Sequence, residues 1–115
     1  MSSDGKYYSD PHRKPDFSHD ALCKGNYICH LMTVKRTLLE SLGSLRSEYD
    51  GSQDHDLALR ISEATDSIVH IPLVLYHWRR VKASASQLHL ERCMDASDRA
   101  VREHLARMEN RKISP

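Results

Sequence analysis

The feature that most constrains this chain is a turn that runs directly into an amphipathic helical pattern. Tyr49-Asp50-Gly51-Ser52 closes a turn-rich stretch, and from Gln53 to about Ala64 the residues Leu57, Ile61 and Ala64 recur at spacings of four and three. That spacing places them on one face of a helix, which must bury that face against another part of the fold. Gly51 stands where the chain turns, a position suited to a backbone conformation that other residues resist. Asp54 and Asp56 fall in the first turn, where negative charge favours the helix dipole. Asp56 also precedes Arg60 by four residues, the spacing of an ion pair along a helix.

On either side of this element the pattern alternates. Residues 1–20 are polar and interrupted by Gly5, Pro11 and Pro15, which predicts an extended arm. Residues 27–34 are rich in β-formers and predict a strand. Residues 35–42 predict a short helix with Leu38, Leu39 and Leu42 on one face, stopped by Gly43. After the central helix, 67–71 and 73–78 predict two short strands separated by Pro72, and a loop carries Arg79 and Arg80 through to Ser86. From about 86 to 111 the pattern is helical, with an expected break near Met94-Asp95 and an apolar stripe of Val101, Leu105 and Met108. Interleaved strands and helices, with few strands, predict a fragment of an α/β protein or a small α+β unit.

Composition narrows the function classes. A net charge of +1, from 17 basic and 16 acidic residues, gives no global field for nucleic acid or an anionic membrane. With 115 residues, one Phe and one Trp, a single modest core must be built mainly from aliphatic side chains. The longest apolar run, Ile71-Pro72-Leu73-Val74-Leu75, is too short to span a bilayer, and the first residues lack the basic and apolar regions of a signal peptide. Cys23, Cys29 and Cys93 form no CxxC pair, which predicts reduced, inert thiols in a cytoplasmic setting. The eight histidines show neither HExxH nor HxH, so no metal ligands are expected among them. The lack of a Gly-x-Ser-x-Gly elbow and of a histidine pair at ligand spacing argues against a hydrolase.

The segment from Asp50 to Arg60, Asp-Gly-Ser-Gln-Asp-His-Asp-Leu-Ala-Leu-Arg, resembles the acidic motif of family-two inverting glycosyltransferases, which have the GT-A fold. Four other segments match that family in order. Lys14-Pro15-Asp16-Phe17-Ser18 resembles the stretch after its metal-binding DxD region, and Asn26-Tyr27-Ile28-Cys29-His30-Leu31 resembles the strand before its acceptor-side helix. Leu38-Leu39-Glu40-Ser41-Leu42-Gly43 resembles its Leu-Leu-Glu-x-x-Gly turn. Leu75-Tyr76-His77-Trp78-Arg79-Arg80, with Ser84 and Ser86, resembles its closing strand and serine loop. The resemblance covers about residues 6–110. It implies the C-terminal portion of a nucleotide-diphospho-sugar transferase domain, seen alone as a small mixed unit. The implied parts are an arm over 1–20, an acceptor-side half over 21–86 and a helical segment over 87–115.

What the resemblance implies about chemistry follows residue by residue. Asp54 takes the family's general base, withdrawing a proton from the acceptor hydroxyl as the anomeric carbon inverts. Gly51, Gln53, Asn26 and His30 fall on the substrate side, Trp78 is placed to stack on a sugar ring, and Arg79 lies near the diphosphate. The bland alternatives are a dipole-favouring Asp54, a turn-forming Gly51, a core-packing Trp78 and a solvated Arg79-Arg80 turn. The partners implied are a nucleoside-diphosphate sugar and a glycan acceptor of bacterial-type surface polysaccharide. Mg²⁺ or Mn²⁺ would be held by the family's first half, which has no counterpart here; Asp4 and Asp10 do not form its DxD motif. Val81 replaces a histidine that many relatives bring to the metal, and His77 is not its substitute. The chain alone is therefore expected to be inactive, located in the cytoplasm or at the inner membrane face. A non-catalytic docking or homodimerising module is the competing expectation.

Overall fold

The computed structural model describes residues 13–78 and 90–113. Arg79, Arg80, Val81, Ser84, Ser86 and most of the arm lie outside them. Among the described residues four α-helices follow in order: α1 (His19–Lys24), α2 (Arg36–Ser41), α3 (Gln53–Ala64) and α4 (Leu90–Ile113), with a 3-10 turn at Ser47–Tyr49 before α3.

Local chemistry sets the helix ends. The Ser18 hydroxyl accepts from the Ala21 amide at 3.2 Å and starts α1, which shortens the arm expected over 1–20. Gly43 ends α2 at φ 83°, its amide donating to Glu40 while the Ser44 amide donates to Leu39. That pair of bonds is a Schellman stop, and glycine is the residue that takes its left-handed position without strain. At α3 the Ser52 hydroxyl does not cap its own helix; it donates to the Cys93 carbonyl of α4 at 2.7 Å. α4 runs unbroken for 24 residues, so the break expected at Met94-Asp95 does not occur. Neither proline nor glycine is present in it to force one.

The core lies where α1, α3, α4 and the 3-10 turn meet. Leu22, Tyr49, Ala58, Leu59 and Ala100 are its buried centre, with Phe17, Tyr27, Ile28, Met32 and Val101 packed around them. Burial of Leu22 and Leu59, each 0% exposed, contributes about 1.5–3 kcal/mol apiece. Of the stripe predicted on α4, Val101 packs against the core and Met108 is half-buried, but neither forms the centre of the buried face. Leu105 is 48% exposed, and the buried face is Cys93, Ala96, Ala100 and His104. Small residues let α4 approach α3 closely, which large apolar residues on that face would prevent.

Among the described residues no strand is formed. The stretches 27–34, 67–71 and 73–78 have no ladder, so the mixed α+β unit expected from the sequence contains helices alone in this part of the chain. β-propensity becomes a strand only where a neighbour supplies partners for alternate amides and carbonyls. The apolar side chains of 69–78 instead face outward, with Val69 84%, Leu73 68% and Val74 78% exposed.

Candidate functional site

The two acids at the start of α3 have opposite fates. Asp56 is 0% exposed and is enclosed by arginines: Arg46 donates to it through Nε at 3.2 Å and Nη2 at 2.6 Å, and Arg60 through Nε at 3.0 Å. Arg60 also donates to the carbonyls of Leu42 and Ser44, so one buried guanidinium ties α3 to the end of α2. The hydrogen bond to Asp56 holds the Arg46 guanidinium above its ordinary pKa. The predicted Asp56–Arg60 pair is present, and Arg46, ten residues upstream of Asp56, is the partner that helical spacing could not reveal.

Asp54 is half-buried and takes one hydrogen bond, from the His55 amide to Oδ1 at 3.0 Å. Among the described residues Oδ2 accepts none, which leaves it able to take a proton. Its charge is felt by Cys29: burial first, then Asp54, pushes the Cys29 thiol up, while Lys14 and the His30 backbone act the other way. Lys14 donates to the His30 carbonyl, and burial lowers its own pKa. Cys29 thus lies within range of the Asp54 charge and Lys14 is tied to the neighbouring His30 carbonyl, roles that spacing alone does not assign.

The predicted substrate-side residues form two groups. In the first, the Asn26 carboxamide oxygen accepts from the Cys29 amide at 3.1 Å and shapes the loop that presents His30. The His30 ring lies 5.1 Å from that of Tyr76 and 5.6 Å from that of Trp78. Trp78 is 46% exposed, so the core-packing alternative does not describe it. In the second, the Gln53 carboxamide accepts from the Gly51 amide at 2.9 Å, closing the turn before α3. Gly51 has φ 97°, and a Cβ there would meet Cys93 Sγ at 2.9 Å. The chain's own packing therefore accounts for this glycine. Cys29, beside His30 in sequence, is the member of the first group that feels the Asp54 charge. Arg79 lies outside the described residues.

Two histidines that spacing left scattered are buried and paired. His55 is 1% exposed; its Nε2 donates to the Leu22 carbonyl at 2.7 Å and its Nδ1 accepts from the Ser97 hydroxyl at 2.5 Å, joining α1, α3 and α4. His104 is 0% exposed and donates from Nδ1 to Glu63 at 2.9 Å, while Arg107 binds the same carboxylate at 2.7–3.0 Å. Burial alone would raise the Glu63 carboxyl, but the hydrogen bonds from Arg107 and His104 outweigh it and hold the pKa below its ordinary value. Against the expectation of no metal ligands, His19, Cys23 and His104 bring their ligand atoms within 4.8 Å of one another. Sequence spacing could not reveal this, since His19 and His104 are 85 residues apart.

Among the described residues no helix is long and apolar enough to cross a membrane. No protein-family model matches the chain, and no solved structure matches it. The chain is 38% identical over 108 residues to the uncharacterized protein y4gI of Sinorhizobium fredii, covering 90% of this chain and 12% of that protein. It spans about a tenth of the length of the relatives it matches. Over 101 residues, 86% of this chain and 8% of the relative, it is 46% identical to the O-antigen biosynthesis protein RfbC of Myxococcus xanthus.

Proposed function

We propose that this chain is the acceptor-side part of an inverting GT-A glycosyltransferase of polysaccharide biosynthesis. The intact enzyme transfers a sugar from a nucleoside-diphosphate donor to a glycan, with Asp54 as the general base, and this chain alone is inactive. The observation that carries this reading is the division of labour at the start of α3. Asp56 is buried on two arginines, while Oδ2 of Asp54, two residues earlier, accepts no hydrogen bond among the described residues. The ion pairs of Asp56 hold the backbone at the start of α3, from which Asp54 projects.

Two further observations support the reading. The similarity to a protein named for O-antigen biosynthesis runs through 86% of the chain. The exposed apolar stretch from Val69 to Trp78 is suited to packing against further structure of the same domain, where the family has its sheet. Donor and Mg²⁺ or Mn²⁺ would then be held mainly by residues outside this chain, the metal neutralising charge on the leaving diphosphate. His30, Tyr76 and Trp78 would form an aromatic wall for the acceptor. The same exposed stretch suits a homodimerising module, and a stable dimer that binds neither donor nor glycan would favour that alternative.

The test is a chimera. The matching segment of the Myxococcus xanthus protein is replaced by this chain, and O-antigen is measured in cells that lack the native protein. Restoration by the unchanged chimera, and loss with Asp54→Asn, is the expected result. Equal restoration by both would remove Asp54 from the base role, and failure of the unchanged chimera would count against a shared activity.

A further inference from the structure

We infer that His19, Cys23 and His104 form a zinc site that staples α1 to α4, a role independent of the sugar-transfer reading. His19 and Cys23 stand four residues apart on α1 and face the same way, and His104 meets them from α4. The three ligand atoms lie within 4.8 Å of one another.

Two of the three edges of the group approach those of a tetrahedral ion, and the third, from Cys23 to His104, is within 4.8 Å. Zn–N bonds near 2.0 Å and a Zn–S bond near 2.3 Å require about 3.6 Å between nitrogen and sulfur, and about 3.3 Å between the two nitrogens. Cys23 Sγ lies 3.6 Å from His19 Nε2, and the two Nε2 atoms are 2.7 Å apart. Opening the imidazole pair by roughly half an ångström admits the ion. The ligand set, two imidazoles and one thiolate, is one that zinc takes readily.

The surroundings prepare the ligands. The Nδ1–H of His104 donates to Glu63, whose carboxylate is fixed by Arg107, so the Nε2 lone pair is directed at His19 and Cys23. A carboxylate behind a histidine in this way is the usual support of a metal-bound imidazole. His19 Nδ1 lies 4.0 Å from the Asp20 carboxylate, which favours its proton on that nitrogen when Nε2 binds metal. Binding releases the thiol proton of Cys23 to solvent and moves the His19 proton from Nε2 to Nδ1, so that the thiolate and both Nε2 lone pairs face the ion. An open depression lined by Cys23, Asp98, Val101 and Arg102 lies beside the group. Six residues are too few to hold a helix alone, so a bond from α1 to α4 stabilises the part of the chain that leads into the Asn26–His30 loop.

The experiment uses the full chain, free of any histidine tag. Zn²⁺ affinity is measured by competition with a chromogenic chelator, and Co²⁺ serves as the spectroscopic probe. The expected result is one metal per chain, a thiolate-to-cobalt charge-transfer band and a rise in melting temperature with Zn²⁺. Cys23→Ser should abolish the band, and Cys23→Ser and His19→Ala should each weaken Zn²⁺ binding at least tenfold. Glu63→Gln should weaken it by about 10–100-fold. Both first-named positions are only partly buried, and circular dichroism checks that each variant folds. Cys29→Ser should leave both the Zn²⁺ affinity and the cobalt band unchanged. Absence of stoichiometric binding, or binding undiminished in the Cys23→Ser/His19→Ala double variant, would overturn the site.

Discussion

Replacing Asp56 by alanine should unfold this protein far more readily than neutralising Asp54 beside it. Asp56 is fully buried and accepts from Arg46 and Arg60, whose side chains are 30% and 8% exposed. Removing one member of a buried ion pair costs about 3–5 kcal/mol, chiefly because the other charge is left without compensation. Two features place this case near the lower end. Arg46 can turn toward water, and Arg60 keeps its hydrogen bonds to the Leu42 and Ser44 carbonyls. The expected loss is about 3 kcal/mol. With an unfolding entropy of about 2.1 cal/mol/K per residue over 115 residues, that lowers the melting temperature by roughly 12 °C. Asp54→Asn removes a half-exposed charge worth only its dipole interaction, at most about 1 kcal/mol or roughly 4 °C. Thermal and urea melts followed by circular dichroism measure both. A loss below about 1 kcal/mol for Asp56→Ala would refute the reasoning. So would equal losses for the two variants, since the chain would then not distinguish a structural acid from a free one.

Gly51→Ala should destabilise by about 1–3 kcal/mol, because the backbone at φ 97° is strained for alanine and the added Cβ meets Cys93 Sγ at 2.9 Å; urea midpoints read this directly. Glu63 has its pKa lowered in the folded chain, so its contribution is present above the ordinary carboxylate value of 4.5 and is lost as pH falls through the folded value. Urea midpoints should therefore decline as pH drops below about 4.5, and Glu63→Gln should flatten that decline; an unchanged slope would contradict it. Residues 1–115 alone should give no calorimetric signal with nucleoside-diphosphate sugars, with or without Mn²⁺. Micromolar, metal-dependent binding would show that these residues build a donor site themselves.

Local rules carried the reading of the helices. The α3 pattern over 53–64 matches Gln53–Ala64, and Gly43 ends α2 as its position suggested. These depend on contacts within a few residues, which a sequence displays directly. The arrangement on α4 was not legible, since alanine and histidine give no apolar signal, yet Ala96, Ala100 and His104 are what α3 packs against. The stretches 27–34 and 67–78 read as strands because their residues are β-formers, but propensity says nothing about whether a partner is at hand. At the candidate site Asp54, His30 and Trp78 were found through family likeness. Arg46, Lys14 and the His19–Cys23–His104 group depend on chain crossings that no local spacing encodes.

The central claim is that Asp54 takes the acceptor's proton during sugar transfer. Its most direct test is a steady-state comparison of the purified chimera, carrying this chain within the Myxococcus xanthus protein, with its Asp54→Asn form. Loss of a general base should lower kcat by about 10²–10⁴-fold while donor affinity stays within a factor of two or so. Turnover within about tenfold of the unchanged chimera would contradict the account.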